Sequence, residues 1–505
     1  MSSSCIFLPP FLALVLSLIP LLDLVGANNI TIIGTESRQT SQKVVTCYYS
    51  NWAYWRSGNG KFTVDDIDVS VCTHLVYAFA VLDANTHKMV AHDTWLDLPS
   101  GLDNFRKFTN LKQQKSGLKT LLGLGGWTDS RGSYKYSDLV ASPTLRAAFI
   151  THAIGFLKEY GFDGLDLDWE YPAYSDGGRP ADKQNFATFV KELKEALGPQ
   201  NLLLTSAVSA AKQVIDAGYD IPNLALYLDY IHLMTYDFHG SWENRADHHS
   251  PLHKRDFDTT DFYSEFAASY WVTKGAPANK LVLGIPLYGR TFTLSSGQTA
   301  PPAPASGPGN AGTLTQAAGF LSYMEICTAL SNGYTEVKDN TGKMGPYAYK
   351  QSQWVGYDDP EMVARKAQFI WQRGLAGGMV WALDLDDFNN MCGNGNYPLM
   401  KRLSSELASQ TPSPTAATPS PTAATPSPTA ATPSPTTATP SPTTATPTTC
   451  TNQFVCPGNG LLPDPCDCSK FYNCYYGIPY HFNCPSGLRW NDNMKYCDWP
   501  RNVTC

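Results

Sequence analysis

The stretch "FDGLDLDWEYP", residues 162–172, decides the fold. It sets Asp163, Asp166, Asp168 and Glu170 among Leu165, Leu167 and Trp169. Side chains alternate across a β-strand, so Asp166, Asp168 and Glu170 share one face and the three apolar residues share the other. In the wall of a closed barrel the apolar face packs against surrounding helices and the acids line the interior. Acids two residues apart stand about 6–7 Å from one another along the strand. In a poorly hydrated site they cannot all ionise, and at least one keeps a proton near neutral pH. A protonated carboxyl at the rim of a barrel is what general acid catalysis requires. Three plainer readings compete: a calcium site, an exposed acidic strand and an ion-pair ladder. Calcium loops need a glycine-bearing turn rather than a strand flanked by Leu and Trp, and exposure conflicts with the apolar partners. Asp163 precedes the alternation and is expected to support the base of the strand.

Strand-like segments recur on both sides of this one. They are "VVTCYYSNW" (44–52), "THLVYAFAVL" (73–82), "LKTLLGLGGW" (118–127), "LLLTSAVS" (202–209), "YIHLMTYD" (230–237), "KLVLGIPLYG" (280–289) and "AGGMVWALDLDD" (376–387). Helical patterns lie between them. Ser142-Pro143 supplies an N-cap and a first-turn proline, followed by a stripe of Phe149, Ile150, Ala153 and Leu157 that stops at Gly161. A second stripe carries Phe186, Phe189, Val190, Leu193 and Leu197 and stops at Gly198. Eight buried strands alternating with helices predict the α/β class and a (β/α)8 TIM barrel, with an open doubly wound sheet as the rival. The long gap at about 290–375 predicts a small inserted α+β subdomain.

The ends of the chain differ in kind. Residues 1–27 form an apolar run ending in Val25-Gly26-Ala27, read as a secretory signal; a membrane anchor is the rival, opposed by Pro9, Pro10 and Pro20. Residues 409–449 repeat "TPSPTAA" and "TPSPTTA" without charge or large apolar groups, so they cannot bury a core. They read as an extended linker suited to O-glycosylation. Of 13 cysteines, Cys5 leaves with the signal, four are dispersed (Cys47, Cys72, Cys327, Cys392) and eight crowd into residues 450–505. That density predicts an oxidising compartment and a small disulfide-rich module. Asn29 and Asn502 stand in glycosylation tripeptides. The net charge of −7 and the lack of a basic run speak against nucleic acid as a partner. Aromatic residues reach 12%, a hint of carbohydrate, because sugar C–H faces stack on rings.

Other candidate residues stand at strand ends. "LMTYDFHG" places Tyr236 and Asp237 where a phenol and an acid meet a substrate, or where they merely cap a helix. Gly125 and Gly126 open no nucleotide motif. Trp381 floors a sugar pocket or belongs to the core. His239, His248, His249 and His253 share one loop, without the spacing of a metal site. No metal and no cofactor are expected.

At this point a resemblance is visible. "FDGLDLDWEYP" resembles the DxxDxDxE signature of glycoside hydrolase family 18, and "CYYSNWAYWR", "LGGW", "MTYDFHGSW", "PLYGRTF" and "GGMVWALDLDDF" extend the match over residues 44–388. The departure is Gly123, where many members carry Ser or Ala. The resemblance implies a secreted chitinase with its catalytic barrel over residues 42–408. It acts on chitin and chitin oligosaccharides as a monomer, free of the membrane once the signal is removed. In this family the substrate's N-acetyl oxygen attacks the anomeric carbon. Glu170 then protonates the leaving oxygen, Asp168 orients the acetamido N–H, Asp166 shares a proton with Asp168, and Tyr236 bonds the acetamido oxygen beside Asp237. Tyr48, Trp52, Trp127, Tyr171, Met234, Tyr288, Arg290 and Trp381 are the implied substrate-binding residues.

Residues 450–505 resemble a peritrophin-A type chitin-binding domain. Cys456, Cys468, Cys474, Cys484, Cys497 and Cys505 match its six-cysteine spacing, with Cys450 and Cys466 additional. Tyr475, Tyr476, Tyr480, Trp490 and Trp499 are candidates for stacking on chitin or for filling the small core. Two other functions compete with the chitinase reading: a non-catalytic chitin lectin on the same scaffold, opposed by the presence of Glu170, and an endoglycosidase acting on glycoprotein N-glycans.

Overall fold

The computed structural model describes residues 43–174, 176–408 and, nearer the C-terminus, 456, 460–475, 478–484, 489–492, 496–498, 500 and 503. The expected signal and linker, Cys5, Cys450, Cys505, Tyr476, Trp499, Asn29 and Asn502 lie outside the described residues, as do the side chains of Cys474, Tyr475, Tyr480 and Cys497.

Eight parallel strands form the first unit: β1 Val44–Ser50, β2 His74–Leu82, β3 Lys119–Gly125, β4 Gly164–Asp168, β5 Leu203–Ser209, β6 Tyr230–Met234, β7 Leu281–Pro286 and β8 Gly377–Trp381. Each pairs with the next in sequence. Cys47 of β1 sits opposite both Val380 of β8 and Leu75 of β2, so the sheet closes into a barrel and the open-sheet alternative falls. Strands of such a barrel are covered on both faces and read as continuous apolar runs; β4 is buried along its whole length. On its outer side Leu165, Leu167 and Trp169 are buried. Trp169 stacks on Tyr136 at 5.5 Å and meets Phe186 edge-on at 5.8 Å. Asp163 accepts from the Thr120 N–H at 2.8 Å and pairs with Lys112 at 3.1 Å, tying the base of β4 to its neighbourhood.

The covering helices begin and end where their capping residues dictate. In the helix Pro143–Tyr160 the Ser142 hydroxyl accepts from the Leu145 N–H, and Gly161 stops it at φ +78°, where any other residue would be strained. It buries Phe149, Ile150, Ala153 and Leu157. The helix Asp182–Leu197 buries Phe186, Phe189, Val190, Leu193 and Leu197.

After β7 the chain leaves the barrel to build an antiparallel sheet around Tyr288–Leu294. Gln353–Gly356, Tyr347–Lys350 and Thr335–Val337 follow on one side, Ala303–Pro308 and Arg245–Ala246 on the other. Phe292, Leu294, Tyr347 and Trp354 give this subdomain its own small core. The helix Pro360–Gln372 returns the chain to β8. Disulfides join Cys47 to Cys72 and Cys327 to Cys392 across separations of 25 and 65 residues. In the chain-entropy account each stabilises by about 3–4 kcal/mol.

The second unit is described by itself. Gly460–Pro463, Lys470–Tyr475 and Ile478–Asn483 form a three-stranded antiparallel sheet, and Arg489–Asn491 pairs with Tyr496–Asp498. Cys456, Cys466, Cys468 and Cys484 are disulfide-bonded, so Cys466, additional to the six-cysteine match and a candidate for a fourth bridge, belongs to the framework. Trp490 is buried and stacks on Phe471 at 4.2 Å. It takes the core role, not the sugar-facing one.

Candidate active site

The C-terminal ends of the barrel strands open onto a cleft of about 1080 Å³, the end of the barrel where loops gather and sites form. β4 delivers its acids at different depths. Asp166 lies at the bottom, fully buried. The Tyr48 hydroxyl donates to its Oδ2 at 2.6 Å and the Thr205 hydroxyl to its Oδ1 at 2.5 Å, with His232 Nδ1 at 3.3 Å. Both oxygens are therefore engaged. Asp168, two residues on, lines the cleft, and its Oδ1 is buried without a hydrogen-bond partner. Among the described residues Asp166 is bonded to Tyr48 and Thr205, with Asp168 above it.

Burial, with the charges of Glu170 and Asp166 added, pushes the Asp168 carboxyl well above the usual range. Glu170 stands beyond the end of β4 on the cleft wall. Burial pushes it up to about 7, opposed by a hydrogen bond from Tyr171 and assisted by the negative charge of Asp237. A glutamic acid that holds its proton near neutrality is the group the ladder was expected to contain.

The neighbouring strand pins this end of β4. The Gly126 N–H donates to the Asp168 carbonyl at 2.8 Å. The Ser130 hydroxyl donates to the same carbonyl at 3.2 Å and accepts from the Glu170 N–H at 2.9 Å. Gly125 and Gly126 have φ of +118° and +83°, and a Cβ on Gly126 would meet the Phe79 ring at 2.5 Å. The two glycines serve close packing and a turn. At Gly123, the departure from the family pattern, a Cβ would meet the same ring at 2.8 Å.

From β6 come Met234, Tyr236 and Asp237, all lining the cleft. The Tyr236 hydroxyl donates to the Met379 sulfur at 3.7 Å, a weak acceptor that a better one readily replaces. Asp237 has φ +56°. It accepts from the Tyr288 hydroxyl at 2.7 Å and from Arg290 Nε at 2.7 Å and Nη2 at 2.5 Å. Burial alone would raise this carboxyl, but the Arg290 guanidinium outweighs it and holds it well below the usual range. It stays charged.

Trp381 ends β8 and stacks on Phe79 at 5.8 Å, with Trp52 at 6.1 Å, making an aromatic floor. Trp52, Trp127, Tyr171, Tyr288, Arg290 and Trp381 all line the cleft. Tyr48 does not. It is buried beneath the floor, 5.5 Å from the Trp381 ring, with its hydroxyl spent on Asp166. The inward parity of β1 is as expected, but the residue lies one layer too deep.

Sequence reasoning missed Phe79, Arg131, Lys135 and Trp242, which also line the cleft. Trp242, 62% exposed, stands five residues after Asp237 within "MTYDFHGSW", and its place in that motif was the available signal. Nothing in the sequence marked Ser130. The four histidines of one loop go separate ways: His239 to Glu243, His248 to the Tyr357 carbonyl, His249 to the Tyr288 carbonyl, His253 to Glu265. Among the described residues no group of three or more His, Cys, Asp or Glu is placed to hold a metal ion.

The model of glycosyl hydrolases family 18 matches residues 44–386, and that of the chitin binding Peritrophin-A domain matches residues 447–505. A probable chitinase 10 of Drosophila melanogaster is 49% identical over 380 residues, 73% of this chain but only 16% of that protein's length. An endochitinase of Manduca sexta is 36% identical over 541 residues, covering 94% of this chain and 97% of the relative. The crystal structure of Ostrinia furnacalis Group II chitinase catalytic domain 2 superposes with a TM-score of 0.70 at 46% identity, covering 72% of this chain and 96% of that one.

Proposed function

Because the chain belongs to glycosyl hydrolases family 18, is a glycoside hydrolase of the chitinase type and carries a chitin binding Peritrophin-A domain, we propose that it cleaves β-1,4 links between N-acetylglucosamine units with retention of configuration, using the substrate's own acetamido group. The observation that carries this reading is the Asp168–Glu170 pair lining the cleft, where the buried Asp168 Oδ1 is left for a ligand and burial pushes Glu170 up to about 7.

In the first step Glu170 gives its proton to the glycosidic oxygen. The C1–O bond breaks, and the acetamido carbonyl oxygen bonds to C1, giving an oxazolinium-like intermediate. Asp168, whose Oδ1 has no hydrogen-bond partner among the described residues, accepts from the acetamido N–H and orients the group. Tyr236 turns its hydroxyl from the weak Met379 acceptor to the acetamido oxygen. In the second step Glu170, now a carboxylate, takes a proton from water as the water attacks C1, and the C1–O bond to the acetamido oxygen breaks, restoring the neutral acetamido group. One bond and one water become two hydroxyl groups, and two displacements at C1 restore its configuration. Ordinary retaining enzymes reach that outcome through a carboxylate nucleophile; here Asp166 is engaged below the floor and Asp237 is bound to Arg290 and Tyr288. Trp381 floors the sugar ring, with Trp52, Trp127, Tyr171, Met234, Tyr288 and Arg290 along the walls.

The rest of the chain fits an extracellular, chitin-anchored enzyme. On this reading residues 1–27 are removed on secretion, residues 409–449 act as a glycosylated tether, and residues 450–505 hold the barrel on insoluble chitin. The tether raises the local concentration of the barrel without adding a catalytic contact. The stereochemical test is a proton NMR time course on a soluble N-acetylglucosamine oligomer. Fresh reducing ends are expected in the β form, mutarotating later to the mixture; α ends at the earliest times contradict the mechanism.

A further inference from the structure

Resting on the reading above, we propose that His249 is a positioning residue for the reaction: its ring latches the peptide of Asp237 to the peptide of Tyr288 and so holds the Asp237 carboxylate on the cleft wall facing Glu170. The cleft wall is built from two segments distant in sequence, the turn after β6 and the first strand of the inserted sheet. His249 is fully buried between them. Its Nε2 lies 3.1 Å from the Tyr288 carbonyl, an acceptor only, so Nε2 carries the hydrogen. Its Nδ1 accepts from the Asp237 N–H at 3.4 Å, and its own carbonyl accepts from the Phe238 N–H at 3.0 Å. Both peptides that set the left-handed turn at Asp237 are therefore tied to this one residue. Its ring also packs on the Tyr288 ring at 4.8 Å.

The His249 Nδ1 also stands 3.4 Å from Asp237 Oδ1, so the bond from the Asp237 N–H belongs to the neutral ring, and a protonated ring would donate to the carboxylate instead. Burial favours the neutral ring, and Arg290 and Lys366 favour it further, while Asp237 opposes; the net effect lowers the His249 proton affinity. The charged and titratable groups facing the ring are Asp237 from the turn after β6, Tyr288 and Arg290 from the inserted strand, Lys366 from the helix Pro360–Gln372 and His248 from its own segment, at 5.8 Å between ring centres. Around Glu170 stand Asp168 and Tyr171 from its own segment, Asp237 and Tyr236 from β6 and its turn, and Tyr219. Of these, Asp237 is the one whose backbone turn His249 holds, while Arg290 and Tyr288 bind its carboxylate. If the turn relaxes, its negative charge no longer supports the proton on Glu170, and Glu170 titrates at lower pH.

Three variants separate the two halves of the latch. His249→Ala removes both. His249→Asn keeps an acceptor near the Nδ1 position. His249→Gln keeps a donor near the Nε2 position. The parental enzyme and the variants are assayed for kcat and KM against pH on a soluble N-acetylglucosamine oligomer, with thermal denaturation alongside. In His249→Ala the alkaline limb of kcat is expected to move to lower pH by about half a unit or more, and kcat near neutrality to fall about tenfold with a smaller change in KM. His249→Asn restores the limb and His249→Gln does not, whatever their melting temperatures. The proposal is overturned if all three variants keep the parental limb, or if the limb follows the melting temperature rather than the Nδ1 acceptor. A parental protein that leaves the oligomer intact contradicts the chitinase reading instead. The latch is then read without turnover, from the carboxyl carbon-13 signal assigned by its loss in Glu170→Gln. Its titration shifts down in His249→Ala and recovers in His249→Asn if the latch holds, and stays in place in every variant if it does not.

Discussion

Glu170 and Asp237 are both acids on one cleft wall, yet their surroundings separate them. Burial moves Glu170 up to about 7, whereas Arg290 holds Asp237 charged. The proton needed for glycosidic cleavage is therefore present below about pH 7 and is lost as pH rises through that value. A pH profile of kcat/KM on soluble oligomers is expected to fall on its alkaline side with an apparent pKa near 7. A profile flat from about pH 6 to about pH 9, a range that contains the titration of the group, contradicts the assignment. At this scale the acids were legible because alternation places them on one face. Depth was not: parity cannot tell Tyr48 beneath the floor from Trp381 within it. Nor can it reveal Ser130 or His249, whose roles come from loops that meet only after folding.

The strands and helices were readable because each obeys local chemistry: continuous apolar runs for strands buried on both faces, Ser142 and Gly161 at the ends of one helix. Phe79 escaped that reading. The pairing of β2 with β3 slips between Tyr77 and Ala80, and such irregularities re-aim side chains near sites. The inserted sheet also takes Arg245–Ala246 from the loop after β6, a long-range pairing no local pattern announces. The joint between these elements is a buried ion pair. Lys366 donates to Asp358 at 2.5 Å and to the Ser250 hydroxyl at 2.6 Å, and the Ser250 hydroxyl donates to the Thr235 carbonyl at 2.6 Å. Lys366→Met leaves Asp358 buried without its cation and is expected to cost about 3–5 kcal/mol. Chemical denaturation measures it; a loss of under about 1 kcal/mol, the range of an exposed pair, contradicts the role.

At the scale of the whole molecule, the order of parts was legible from composition. A structured α/β region, a Thr/Pro/Ser-rich stretch and a cysteine-dense end cannot be mistaken for one another. Barrel closure was not fixed by the strand pattern, since eight alternating units also suit an open sheet; the pairing of β1 with both β2 and β8 decides it. In the C-terminal unit the burial of Trp490 against Phe471 shows how a small domain spends an aromatic on its core. The division of labour between the two units leads to one decisive measurement. Glu170→Gln in the full chain keeps the shape of the cleft and the chitin-binding domain while removing the titratable acid. Binding to insoluble chitin is expected to match the parental protein, with release of soluble sugar reduced about 10³-fold or more. Parental rates of sugar release from Glu170→Gln would contradict the assignment of Glu170 as the acid on which the account rests.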